Sequence, residues 1–140
     1  MKTLFLTLVL MLVAGSAQFA AAQDDEERTA NKSWAIAVKV NKQKTVTPDR
    51  LKIQFVSLIE DSRCPTDTNC IWAGNARIKI KVSSGRGSEM FEINTNAGPT
   101  AATFRGYSIN LVRLTPAPAT NIRINRLGYT ATFDVRKLSR

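Results

Sequence analysis

Between positions 34 and 40 the chain alternates: Trp34, Ile36, Val38 and Val40 share one parity, and Ala35, Ala37 and Lys39 the other. Side chains two apart lie on one face of a sheet, so the pattern predicts a half-buried strand. Residues 51–59 repeat it with Leu51, Ile53, Phe55 and Ile59 in phase, while Val56 and Leu58 break the parity. Such a strand is either buried on both faces or carries a bulge. Within 71–82, Ala76, Ile78, Ile80 and Val82 alternate with Arg77, Lys79 and Lys81. Residues 83–88, with two glycines, read as a hairpin connection into a short return strand over 90–93. In 107–114, Tyr107, Ile109 and Leu111 are in phase and Val112 and Leu114 are not, which predicts a bulge near Leu111. Ile122 and Ile124 mark a brief strand. Residues 128–136 close the chain with Tyr129, Ala131, Phe133 and Val135 inward.

The segments between these strands are polar. Residues 41–50 contain the turn signal Thr47-Pro48-Asp49-Arg50, and 94–106 read as a loop around Asn96-Ala97-Gly98-Pro99. Six or seven short strands, close turns and no helical periodicity predict an all-β fold, a single antiparallel β-sandwich over 34–140. An immunoglobulin domain is disfavoured, because its bridge joins positions far apart in sequence.

The start of the chain changes the picture. Met1-Lys2-Thr3 precedes an apolar run over 4–14, and the segment ends Ala20-Ala21-Ala22. A positive start, a short apolar stretch and an A-x-A ending predict a signal peptide over 1–22. The run is about half the ~20 residues that span a bilayer, so no transmembrane helix is expected. Ser16 stands where a lipoprotein cleavage box has its lipid-accepting cysteine, so no lipid anchor is expected. A charged, flexible tail over 23–33 follows. The expected location is extracytoplasmic, periplasmic or secreted.

Charge narrows the partners. The chain carries 20 Lys+Arg against 11 Asp+Glu, a formal +9. Four of the acids sit together in Asp24-Asp25-Glu26-Glu27, so 28–140 holds 19 basic and 7 acidic residues, or +12. Arg77, Lys79 and Lys81 line one strand face at intervals of ~7 Å. The partners expected are anionic envelope polymers or lipid head groups. Trp34, Phe55, Tyr107, Tyr129 and Phe133 all fall on core parity, which leaves no stacking platform, so no specific nucleic-acid binding is expected. Histidine is absent, which removes Ser-His-Asp and Cys-His catalysis and His-ligated zinc. No cofactor and no catalytic residue is expected.

The remaining chemistry lies in Glu60-Asp61-Ser62-Arg63-Cys64-Pro65-Thr66-Asp67-Thr68-Asn69-Cys70-Ile71-Trp72-Ala73-Gly74. Two cysteines in an exported chain favour a disulfide, Cys64 with Cys70. Closing that loop of seven residues would stabilise the fold by ~2.4 kcal/mol on the chain-entropy model. Trp72 shares the parity of Cys70, which predicts its ring beside the bridge. Glu60, Asp61, Asp67 and Asn69 offer oxygen ligands for calcium, though without the spacing of an EF-hand loop. Asp61 with Asp67 could act as a carboxylate pair given a cleft to hold substrate. Arg63 on a locked loop could be presented to a protease. The candidate binding residues are thus Asp61, Arg63, Asp67 and Trp72.

The pattern D-S-R-C-P-x4-C-x-W-x-G from Asp61 to Gly74 resembles the signature of small exported bacterial proteins of uncharacterised function, often lipoproteins. The run Tyr107 to Pro116 (Y-x-I-x-L-x-x-L-x-P) and the closing strand that opens on Tyr129 are similar to theirs as well. The resemblance implies a compact β domain of the cell envelope and supplies no activity. The reading that follows is a non-enzymatic binding or structural module, with an inhibitor of an extracytoplasmic protease as the alternative.

Overall fold

Ala76, Ile78, Ile80 and Val82 are fully buried, and the intervening Arg77, Lys79 and Lys81 face outward, half-buried. The alternation therefore folds as it reads. The computed structural model of the chain describes residues 32–46 and 49–139. The signal peptide over 1–22 lies outside the described residues, as do Thr47 and Pro48 of the first turn signal and the tail up to Asn31. Ser33, read as the end of the tail, already opens the first strand.

Eight strands occur among the described residues: β1 (Ser33–Lys39), β2 (Gln43–Val46), β3 (Leu51–Asp61), β4 (Ala76–Ser84), β5 (Gly87–Asn94), β6 (Ala101–Phe104), β7 (Tyr107–Thr115) and β8 (Thr130–Lys137). They form two four-stranded antiparallel sheets, ordered β1-β8-β7-β6 and β2-β3-β4-β5. This is an all-β sandwich. Phe55, Ile53 and Ile80 from one sheet and Phe133, Ile109 and Val135 from the other are fully buried and make the core. A 3-10 turn, Arg126–Gly128, precedes β8. Among the described residues no helix is long and apolar enough to cross a membrane.

Both parity breaks are bulges. β3 shifts register between Phe55 and Ser57 and again between Leu58 and Glu60. β7 shifts between Leu111 and Arg113, which leaves Val112 outward. An extra residue on one strand flips the side chains beyond it to the other face.

Two strands lie where the sequence reads as loop. β2 and β6 have four residues each and sit at sheet edges. In β2 only Val46 is buried, and in β6 only Ala102 and Phe104. Edge strands this short need no continuous apolar face. The strand expected at Ile122 and Ile124 does not form; that segment holds only an isolated bridge between Ala119 and Ile122.

Candidate functional site

β3 and β4 end and begin at the same end of the sandwich; Asp61 closes β3, and the residues joining the strands, 62–75, hold the rest of the cysteine motif. The ladder first continues past the strands: the Ser62 amide donates to the Asn75 carbonyl at 2.7 Å, and the Cys64 amide to the Ala73 carbonyl at 3.2 Å. The Ser62 hydroxyl reaches the same Asn75 carbonyl at 2.9 Å. Cys64 and Cys70 are bonded to each other, with Cα atoms 5.9 Å apart. Pro65 accepts from the Thr68 amide and hydroxyl, both at 3.2 Å, which tightens the turn inside the bridge.

Arg63 locks this segment to the opposite sheet. Its Nε and Nη2 donate to the two oxygens of Asp61 at 2.8 and 2.7 Å, a two-point ion pair. Nη1 donates to the Leu114 carbonyl at 2.6 Å and Nη2 also to the Pro116 carbonyl at 2.8 Å. The Tyr129 hydroxyl donates to Asp61 at 2.9 Å. The Arg63 and Asp61 side chains are only 13% and 9% exposed. Burial alone would push the Asp61 carboxyl up, but the hydrogen bonds from Arg63 and Tyr129, with the guanidinium charge, hold it below the usual carboxylate range. The hydrogen bond to Asp61 raises Arg63 against the opposing effect of burial. Burial, followed by the bond to Asp61 and that carboxylate's charge, pushes the Tyr129 phenol up.

Arg63 is not presented to solvent as the inhibitor reading requires; its donors are spent within the fold. Asp61 belongs to that clip. Asp67 accepts from the Thr120 amide at 3.0 and 3.2 Å and from its hydroxyl. These bonds hold its carboxyl below the usual range. The two aspartates therefore serve separate partners and do not form a pair. Glu60 stands 3.7 Å from Arg77 and accepts from the Ser62 hydroxyl at 3.5 Å. Among the described residues no three His, Cys, Asp or Glu side chains gather to hold a metal ion, and the calcium set of Glu60, Asp61, Asp67 and Asn69 is not assembled around one point.

Trp72 departs from expectation. Its ring stands 80% exposed rather than packed on the bridge, and Ile71 beside it is 94% exposed. Parity fails here because 71–75 is no longer a strand: Gly74 turns with φ +71, and a Cβ there would lie 2.1 Å from the Ser62 carbonyl oxygen. The Arg77, Lys79 and Lys81 row lies on the outer face of β4. Arg77 stands 3.7 Å from both Glu60 and Glu92, and Lys79 stands 3.6 Å from Glu92. Two carboxylates thus offset most of its three charges.

The connection between β7 and β8, where the pattern marks Ile122 and Ile124 only as a brief strand, supplies further exposed residues. Thr66 donates to the Pro118 carbonyl at 2.9 Å, which with the Asp67–Thr120 bonds seats the stapled loop against it. This connection carries Ile122 and Leu127, 63% and 58% exposed, with Arg123 and Arg126 beside them, both exposed. The interleaving Ile-Arg-Ile-Asn-Arg-Leu over 122–127 is the sequence signal that marks it. Comparison of the chain with family models, with curated proteins and with solved structures gives no match.

Proposed function

We propose that this chain is an exported β-sandwich module that docks on an anionic lipid surface through its disulfide-stapled end. One observation carries the reading: in the motif from Asp61 to Gly74, Asp61, Ser62, Arg63, Cys64, Pro65, Cys70 and Gly74 each have a task inside the fold, whereas Ile71 and Trp72 face solvent. Leaving large apolar side chains exposed on a rigid support costs about 25 cal/mol for each Å² that water covers. Such exposure marks a surface that meets another apolar phase.

The charges around it favour a bilayer. Arg123 and Arg126 flank Ile122 and Leu127 at the same end, so apolar tips sit among cations. Tryptophan suits the boundary between head groups and acyl chains, being apolar in body and polar at one edge. Arginines near the surface attract anionic head groups at about 1 kcal/mol each. The disulfide agrees with an oxidising, extracytoplasmic compartment. The alternative protease-inhibitor reading lacks its contact residue, since Arg63 is held inside.

Co-sedimentation with vesicles tests this. The oxidised chain should pellet with vesicles containing phosphatidylglycerol and remain in solution with phosphatidylcholine alone. Ile71→Ser with Trp72→Ser should abolish pelleting while the thermal midpoint stays unchanged. Equal pelleting by that variant would overturn the reading.

A further inference from the structure

The opposite end of the sandwich holds a cleft of about 500 Å³, bounded by the turn from β4 to β5, the turn from β6 to β7 and the end of β8. Its charged lining is Arg86, Arg105, Lys137 and Asp49, three cations against one carboxylate. Asp49 accepts from the Tyr107 hydroxyl and lies 3.9 Å from Lys137. Among the described residues Arg86 and Arg105 have no carboxylate within ion-pair distance. Leu51 and Tyr107 make an apolar floor, both buried. The net charge of the lining is +2.

Arg105 is placed at a cost. It has φ 47, and Gly106 after it has φ 78, so the two residues between Phe104 and Tyr107 both adopt left-handed backbone. That two-residue turn favours Asn-Gly, and arginine there gives no backbone advantage. What arginine adds is its side chain, which lies over the Phe104 ring at 5.5 Å and donates to the Arg86 carbonyl at 2.5 Å. The guanidinium is thereby fixed at the rim of the cleft, with donors left over.

We propose that this cleft binds a phosphate monoester. A volume of this size lies within the range of small-molecule sites, about 300–1,000 Å³. Guanidinium forks match phosphate oxygens in pairs. A monoester carries close to two negative charges on one group at neutral pH, which equals the excess in the lining. The remaining volume and the Leu51–Tyr107 floor would take the body of the ester. The ester could be soluble or the head group of a lipid; both present the same phosphate.

Calorimetry of the oxidised chain with glucose 6-phosphate, beside glucose, tests the soluble source. Vesicles containing phosphatidic acid, offered to an Ile71→Ser, Trp72→Ser background, test the lipid source without the stapled end. Saturable binding in either arm, absent for glucose or for phosphatidylcholine, is the expected result. Arg105→Asn keeps the turn and removes the guanidinium, so it should weaken that binding about tenfold or more at an unchanged thermal midpoint. Arg86→Ala should do the same. Failure of binding in both arms, or full binding by both variants, would overturn the proposal. Vesicle pelleting that depends on Trp72 belongs to the stapled end and is unaffected by either outcome.

Discussion

Tyr129 donates its hydroxyl to Asp61 at 2.9 Å, from a position 68 residues away and just before β8 of the opposite sheet. With Arg63 on the other side of the same carboxylate, that contact ties the end of β3 to β7 and to the entry of β8. The stapled loop is thus held to both layers of the sandwich, which makes it a rigid platform rather than a free hairpin. Its outward residues are displayed, and their exposure has to be explained by what they meet.

The clip should depend on arginine and not on charge alone. Lysine has no planar fork, so Arg63→Lys would keep one contact to Asp61 and release the Leu114 and Pro116 carbonyls. Losing hydrogen bonds to charged groups costs about 1.5–3 kcal/mol. Urea unfolding should show a loss of that size, with Trp72→Ser as the unaffected control.

The clip also sets an acid limit. Asp61 is held below its unfolded value, so in the window between the two values the unfolded chain binds the extra proton. The contribution of Asp61 is complete above the unfolded value of about 3.9 and is lost as the pH falls through the lower folded one. Stability measured from pH 6 down to pH 2 should therefore fall less steeply in Asp61→Asn than in the parent.

Removing the bridge should weaken the fold without abolishing it, since the core between the sheets is built from other residues. Cys64→Ala with Cys70→Ala should lower the unfolding free energy by ~2–3 kcal/mol. The denaturant midpoint should move with little change in slope. Gly74→Ala should cost about 1–3 kcal/mol from its positive φ alone, before the clash with the Ser62 carbonyl is relieved. Thermal denaturation of the oxidised variant measures it.

The central strands were legible because both ends of their alternation are enforced: β4 buries four apolar residues against the core and turns three cations out. β2 and β6 were not, because an edge strand is defined by the ladder of its neighbour. Gln43-Lys44-Thr45-Val46 carries one buried side chain, and pairing with β3 makes it a strand. The cysteine pairing is readable from the count of two and the expected export of the chain. The clip was not, since Leu114 and Pro116 contribute backbone carbonyls, which no side-chain pattern reveals. Tyr129 did carry a hint: an inward tyrosine needs a partner for its hydroxyl, and Asp61 lies in the same motif as Arg63. Parity gives the wrong place for Trp72, because the segment before Gly74 has no strand geometry.

Insertion of Trp72 is the claim on which the functional reading rests. Trp34 is half-buried against Tyr107 with ring centroids 6.4 Å apart, so Trp34→Phe leaves Trp72 as the single indole reporter. Its fluorescence should be measured on phosphatidylglycerol vesicles whose acyl chains carry bromine at stated depths. The account predicts a blue shift and quenching by shallow bromines. An emission maximum that stays at the aqueous value, with no quenching at any depth, would contradict it.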